Sequence, residues 1–211
     1  MLKNWINKYY LENTSKLNKE FNINNPFPHL ELKDFFNKTK LKKLLTEIKK
    51  LEFKEKNADL FYMLQTNDLS SYNNKIISEF YSFFSSKEFL SLMERITGIK
   101  GLNYTDAASL IFPKTGYLLP HDDRLSTRKV AYIINLSEKF TEKDGGQLQF
   151  FSTDANNNPK KVVKSIIPSF NNFIIFKVSA KSFHQVNEVL TNKLRITMGG
   201  WFNEQPAKRA Y

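Results

Sequence analysis

The chain has no Cys and only three His residues, His29, His121 and His184. Thiolate ligands, a Cys nucleophile and a disulfide framework are therefore unavailable, and any metal site must draw on His and carboxylates. His121-Asp122-Asp123 has the form His-x-Asp, a spacing that in an extended segment sends both side chains to the same side. Alone the pair says little, because a His near an Asp commonly only shares a hydrogen bond. His184 changes its meaning, since it follows the apolar run Phe173–Val178 and can approach from a neighbouring strand. Two His and one carboxylate on one face of an ion make a facial triad, which leaves positions on iron(II) open to a cosubstrate and oxygen.

A second constellation lies in Leu194-Arg195-Ile196-Thr197-Met198-Gly199-Gly200-Trp201-Phe202. Alternation along a strand puts Arg195, Thr197, Gly199 and Trp201 on one face, and Leu194, Ile196, Met198 and Phe202 on a core face. Arg195 is thereby aimed inward, and a buried guanidinium is costly unless an anion pairs with it. A dicarboxylate cosubstrate supplies that anion, with the Thr197 hydroxyl adding a hydrogen bond and Gly199 leaving room. An isolated Arg-x-Thr has a plainer reading, Arg195 paired to an internal carboxylate and Thr197 a strand former. The His-x-Asp and His184 pattern tips the balance to the anion pocket.

These residues need a scaffold, and the chain changes character near Gly101. Before it, the spacing of Leu2, Trp5, Ile6, Tyr9 and Tyr10 predicts one amphipathic helix, and helices follow over Asp34 to Leu51, Asn73 to Phe84 and Lys87 to Ile96. His29 to Leu32, after Pro26 and Pro28, reads as extended. Beyond Gly101, short apolar or alternating runs give candidate strands Ala107–Phe112, Lys129–Leu136, Gln147–Phe151, Phe173–Val178 and Leu194–Phe202. Asp144-Gly145-Gly146 marks a turn, and Asp154 through Pro159 a loop. The expectation is one domain over 1–211, mostly helical over 1–100 and strand-rich over 101–203.

At 211 residues the chain can close a substantial core, for which its 19 Phe supply bulk. The segment from Met1 to Phe21 intersperses Lys3, Lys8, Glu12, Lys16 and Lys19 among apolar residues, so neither a signal peptide nor a spanning helix is expected, and a reducing cytoplasm is the natural setting. The net charge of +11 would raise the rate of encounter with nucleic acid or acidic proteins. Lys and Asn are abundant throughout, however, so a solvated basic surface explains the charge at least as well.

Three segments resemble the 2-oxoglutarate and iron(II)-dependent oxygenases, in the prolyl-hydroxylase-like branch that includes enzymes modifying a ribosomal protein. They are Tyr117-Leu118-Leu119-Pro120-His121-Asp122-Asp123 with Arg128 to Leu136; Asp144-Gly145-Gly146-Gln147-Leu148; and Phe183-His184-Gln185-Val186 leading to Arg195 through Phe202. Arg195 follows His184 by 11 residues, in keeping with a turn joining adjacent strands. The resemblance implies an α+β fold, a double-stranded β-helix (jelly-roll, cupin-like) core with N-terminal helices packed on it. It implies Fe(II) held by His121, Asp123 and His184, 2-oxoglutarate held by Arg195, Thr197 and Asn135, and O2 as oxidant. His29 falls at the family's entry into its first strand and is not a ligand. At the positions of Phe112 and Asn135 many relatives carry Tyr, so one hydroxyl is lost here and an amide stands in for the other.

Tyr104, Tyr117 and Trp201 are candidates for the barrel mouth, and Arg124 and Arg128 for orienting substrate. The resemblance further implies a protein substrate hydroxylated on a prolyl residue, a ribosomal protein being one such partner. A hydroxylase of free amino acids or other small molecules, or a nucleic-acid demethylase, would use the same iron residues. From another class, a catalytically silent jelly-roll binding module would share the fold.

Overall fold

Asn residues punctuate the start of the chain. Asn7 caps a helix through its side chain, which accepts from the Tyr9 amide at 3.1 Å, and Asn13 both ends that helix and begins the next. The expected single helix through Leu2 to Tyr10 is therefore two short ones, α1 (Leu2–Trp5) and α2 (Lys8–Glu12), and a further helix, α3 (Thr14–Ile23), follows them. The break at Ile6 lets its backbone bridge to Phe36. Such side-chain capping offers the backbone an alternative to continuing the helix. The structure, a computed structural model, describes residues 2–125 and 127–206; the extremities of the expected 1–211 domain, residues 1 and 207–211, lie outside it.

After β1 (His29–Lys33), Asn37 caps α4 (Lys38–Ile48) by accepting from the Lys40 amide, so this helix starts four residues later than the apolar pattern implied. Next comes a hairpin absent from the sequence reading, β2 (Lys54–Ala58) and β3 (Phe61–Gln65). All of β2 is exposed and its residues are poor strand formers, so its pairing with β3, and not propensity, makes it a strand. Helices α5 (Lys75–Phe84) and α6 (Lys87–Thr97) follow as expected, α6 ending at Gly98 in the left-handed conformation.

The remaining strands are β4 (Tyr104–Thr105), β5 (Ala108–Phe112), β6 (Tyr117–His121), β7 (Arg128–Asn135), β8 (Leu148–Thr153), β9 (Pro159–Ile166), β10 (Asn172–Lys177), β11 (His184–Val186) and β12 (Arg195–Asn203). They pair antiparallel in the order β1-β10-β7-β12-β5-β3-β6-β11-β8-β9, with β2 and β4 joined to β3 and β12. The segment β3 bridges the two halves of this jelly roll, pairing β5 through Leu64 and Gln65 and β6 through Phe61 and Tyr62. The fold is α+β, a double-stranded β-helix carrying N-terminal helices. Three strands from before Gly101 contribute to it, so the helical and strand-rich parts interpenetrate.

Alternation divides β12 as expected, with one exception. Ile196, Met198 and Phe202 join the main core with Val130, Tyr132 and Ile134 of β7, whereas Leu194 precedes the strand and is exposed. Phe84 stacks among Phe80, Phe89, Tyr132 and Phe202, tying the helices to the back of the sheet. The helical layer thus makes rigid the strands whose opposite face carries Arg195, Thr197 and Trp201.

Candidate active site

His121 ends β6 and His184 begins β11, and the two are directly paired in the ladder. Their rings lie 4.2 Å apart. The Nδ1 of His121 is 2.8 Å from the Leu119 carbonyl and that of His184 is 2.9 Å from the Ser182 carbonyl. Each Nδ1–H therefore donates to backbone, which fixes the tautomer and turns both Nε2 lone pairs the same way. They face Asp123, whose Oδ1 is 3.6 Å from His121 Nε2 and Oδ2 3.4 Å from His184 Nε2. One ligand atom from each of the three residues falls within 4.8 Å of the others.

Strand alternation predicts Asp123 on the same side as His121, and the structure brings it there by another route. The strand stops at His121 and Asp123 has a positive φ of 61°, so a left-handed turn brings the carboxylate round. Asp tolerates this conformation better than most residues, and holding one at a site is a form of stored backbone strain. Burial and the neighbouring His184 push His121 down to about 4. Burial opposes ionisation of Asp123, but the facing imidazoles more than offset it and hold the carboxyl below its ordinary range. A neutral imidazole beside an anionic carboxylate meets the protonation demands of metal binding.

The triad opens on a cavity of about 410 Å³ whose walls also include Arg195, Thr197, Phe112, Arg128 and Trp201. Arg195 is 1% exposed and has no carboxylate partner among the described residues. Its Nε donates to the Gly146 carbonyl at 2.7 Å, its guanidinium lies 4.9 Å from the Phe112 ring centre, and its Nη2 has no partner. Burial pushes it down to about 9, still cationic at neutral pH. A buried cation with an orphaned donor beside a cavity fits the far carboxylate of 2-oxoglutarate, and the His₂Asp donor set fits iron(II). Asn135 pairs with Thr197 across the ladder and is buried, with its Oδ1 unpartnered, yet it does not reach the cavity wall.

Of the candidate substrate residues, Arg128 and Trp201 line the cavity together, the guanidinium 3.2 Å over the indole and Nη1 3.6 Å from Asp123 Oδ1. Tyr104, Tyr117 and Arg124 are outside its walls. Tyr104 belongs to β4 at the end of β12, Tyr117 directs its hydroxyl to the carbonyls of Ala58 and Asp59, and exposed Arg124 pairs with Asp122 at 2.7 Å. Walls that sequence reasoning missed are Phe61, Met63 and Gln65 of β3, and Asp68 and Asp106 in loops. The period-two spacing of the first three was a readable signal; the two Asp gave none.

His29 stands apart from the triad, at the head of β1. It is 1% exposed, its Nδ1 lies 2.8 Å from the Phe27 carbonyl, and its Nε2 has no partner. Burial and, less strongly, Lys164 lower its pKa below 6.5, so the unfolded chain takes up a proton before the folded one does. Stability is therefore complete above pH 6.5 and falls as pH drops toward the folded value, by up to about 1.4 kcal/mol per pH unit. In urea titrations between pH 7 and 5, His29→Gln should lack this component of the slope. A slope equal to that of wild type would show that His29 charges freely in the fold.

Residues 108–203 match the model of the 2OG-Fe(II) oxygenase superfamily. Among curated proteins, the chain is 34% identical over 180 residues to prolyl 3-hydroxylase OGFOD1 of Xenopus laevis, covering 84% of this chain and 35% of that protein. It is 35% identical over 205 residues to prolyl 3,4-dihydroxylase OGFOD1 of Ostreococcus tauri, covering 88% and 39%. The chain thus spans somewhat over a third of the length of these relatives. In fold it is similar to a Pseudomonas putida prolyl-4-hydroxylase, with a TM-score of 0.73 at 15% identity over 90% of this chain and 100% of that one. With the ligand cluster and the buried, carboxylate-free Arg195 arranged on this barrel, residues 108–203 are those of the 2OG-Fe(II) oxygenase superfamily, and the chain is similar in sequence to the prolyl hydroxylases named above.

Proposed function

We propose that the chain is an iron(II)- and 2-oxoglutarate-dependent oxygenase that hydroxylates a prolyl residue of a polypeptide. The observation that carries this is one cavity holding both the His121, Asp123 and His184 cluster and the unpartnered guanidinium of Arg195. The relatives named as prolyl hydroxylases support the substrate class. Iron(II), when bound with 2-oxoglutarate and oxygen, supplies the power to insert oxygen into a C–H bond while the cosubstrate becomes succinate and carbon dioxide.

The chain's own residues do the rest. His121, Asp123 and His184 would hold the metal, and Arg195 with Thr197 would bind the distal carboxylate through charge-assisted hydrogen bonds. Asn135, paired with Thr197 on the adjacent strand, would flank that subsite. Arg128, stacked on Trp201 beside Asp123, would orient the polypeptide, and the apolar walls from Phe61 and Met63 would keep water from the reacting carbon. A ribosomal protein is the partner to test first, and the cytoplasm the setting that a Cys-free chain suits. No helix among the described residues is long and apolar enough to cross a membrane.

The test is incubation with ribosomal proteins, iron(II) and 2-oxoglutarate, followed by peptide mass spectrometry. The expected product is a single added oxygen on a prolyl residue, dependent on both cofactors. Oxygen added only to free amino acids or to nucleic-acid methyl groups would replace the polypeptide assignment.

A further inference from the structure

The turn before β8 is built against Arg195 more closely than a connecting loop needs to be. Asp144 is held through one oxygen, its Oδ2 accepting from the Thr141 amide and hydroxyl at 2.7 Å each and from Lys193 Nζ at 2.8 Å. Gly145 has φ 73°, and a Cβ there would fall 2.0 Å from the Glu188 carbonyl oxygen, so the turn is pressed onto the segment leading to β12. Backbone bonds from Gly146 to Glu188 and from Leu190 to Asp144 close that contact. Gly146 then meets Arg195 itself. Its carbonyl accepts from Arg195 Nε at 2.7 Å, and a Cβ on it would fall 3.1 Å from Arg195 Cδ and 3.1 Å from Val189 Cγ2.

We propose that Asp144-Gly145-Gly146 is a positioning element that sets where the Arg195 guanidinium meets the distal carboxylate of the 2-oxo acid, Gly146 being the residue in contact. This rests on the proposed cosubstrate role of Arg195. With its Nε committed to Gly146, its shaft against the Gly146 backbone and its guanidinium toward Phe112, Arg195 has only its Nη donors left to offer, the unpartnered Nη2 among them, and little freedom to move them. Pre-organisation of this kind favours an anion whose length matches the gap. At Gly146 a methyl group is wedged between the fully buried Val189 and Arg195, at a φ of +69° that L side chains rarely adopt. Arg195 has several rotatable bonds against the single one of β-branched Val189, so it is the one that yields. Lys193 braces the same turn from solvent.

The experiment compares two 2-oxo acids binding to the anaerobic, iron(II)-loaded chain, followed by the visible charge-transfer absorption of the chelate. 2-Oxoglutarate engages both metal and Arg195, whereas pyruvate offers the same chelating atoms and no distal carboxylate. Gly146→Ala should weaken 2-oxoglutarate binding about tenfold or more, the loss of roughly one charge-assisted hydrogen bond, while pyruvate binding stays within about twofold. Unchanged 2-oxoglutarate binding, or equal weakening of both acids, would overturn the proposal. If Gly146→Ala does not fold, Lys193→Gln decides: about threefold weaker binding of 2-oxoglutarate alone supports the brace, and wild-type binding refutes it. Wild-type chain giving no absorption with either acid would instead defeat the cosubstrate reading that the proposal presupposes.

Discussion

Asp123→Ala and His121→Ala are each expected to abolish succinate formation. Removing only an outer partner of a metal ligand costs up to about 100-fold in metal affinity or activity, so removing one of three ligands should cost more. The two variants should nevertheless part company in the metal-free protein. Asp123 is the anion among His121, His184 and Arg128, with its nearest oxygens 3.4 to 3.6 Å from each. Asp123→Ala leaves the Arg128 guanidinium against Trp201 with its nearest carboxylate gone, and that partly buried cation becomes costlier. His121→Ala removes a neutral ring and leaves Asp123 paired to His184. Apo Asp123→Ala should therefore unfold at lower urea than apo His121→Ala, although both are inactive. Succinate release by either variant at more than about a tenth of the wild-type rate would remove the triad from the mechanism.

What could be read before the structure follows from how local each signal is. Arg195 was legible because the period of its own strand declares which way it points. His121 and His184 were legible by elimination, in a chain with three His and no Cys. Asp123 came out at the right place by the wrong route, since nothing local announces a left-handed turn at an Asp. The hairpin β2–β3 was hidden because Lys54, Glu55, Lys56 and Asn57 have no apolar face to alternate, their strand being exposed on both sides. The same holds for β9, where Lys160, Lys161 and Lys164 interrupt the apolar residues of an edge strand. Tyr104 and Tyr117 were named as mouth residues because they are aromatics near the motif, but the direction of a lone aromatic is settled by distant strands. Arg128 and Trp201 were named separately; their stacking spans 73 positions and no spacing rule connects them. Gly146 reads in sequence as a turn and as part of a family-like segment, with no sign of Arg195, because that contact exists only once β8 and β12 are folded together.

Arg195→Met should separate cosubstrate binding from stability, with opposite signs. At 1% exposure and with Nη2 unpartnered, the guanidinium is a buried charge that the protein alone does not satisfy. Replacing such a charge with an apolar side chain of similar length is often neutral or stabilising by about 1–4 kcal/mol. The loss of the Nε bond to Gly146 offsets this by about 1 kcal/mol, since that carbonyl is left without its donor. The metal-loaded variant without 2-oxoglutarate should thus be at least as stable as wild type. With 2-oxoglutarate the order reverses. Ligand at about 100 times its dissociation constant stabilises wild type by about 2.7 kcal/mol, and the variant should gain almost none of that at the same concentration. Two lost charge-assisted hydrogen bonds at about 1.5–3 kcal/mol each correspond to an increase of roughly 100-fold or more in the 2-oxoglutarate concentration needed for half-maximal rate. A metal-loaded Arg195→Met that is markedly less stable than wild type yet equally stabilised by 2-oxoglutarate would mean that Arg195 is satisfied within the protein and that the distal carboxylate is bound elsewhere. The physical distinction is whether the guanidinium is strained until the anion arrives or already at rest, and unfolding with and without 2-oxoglutarate reads that difference directly.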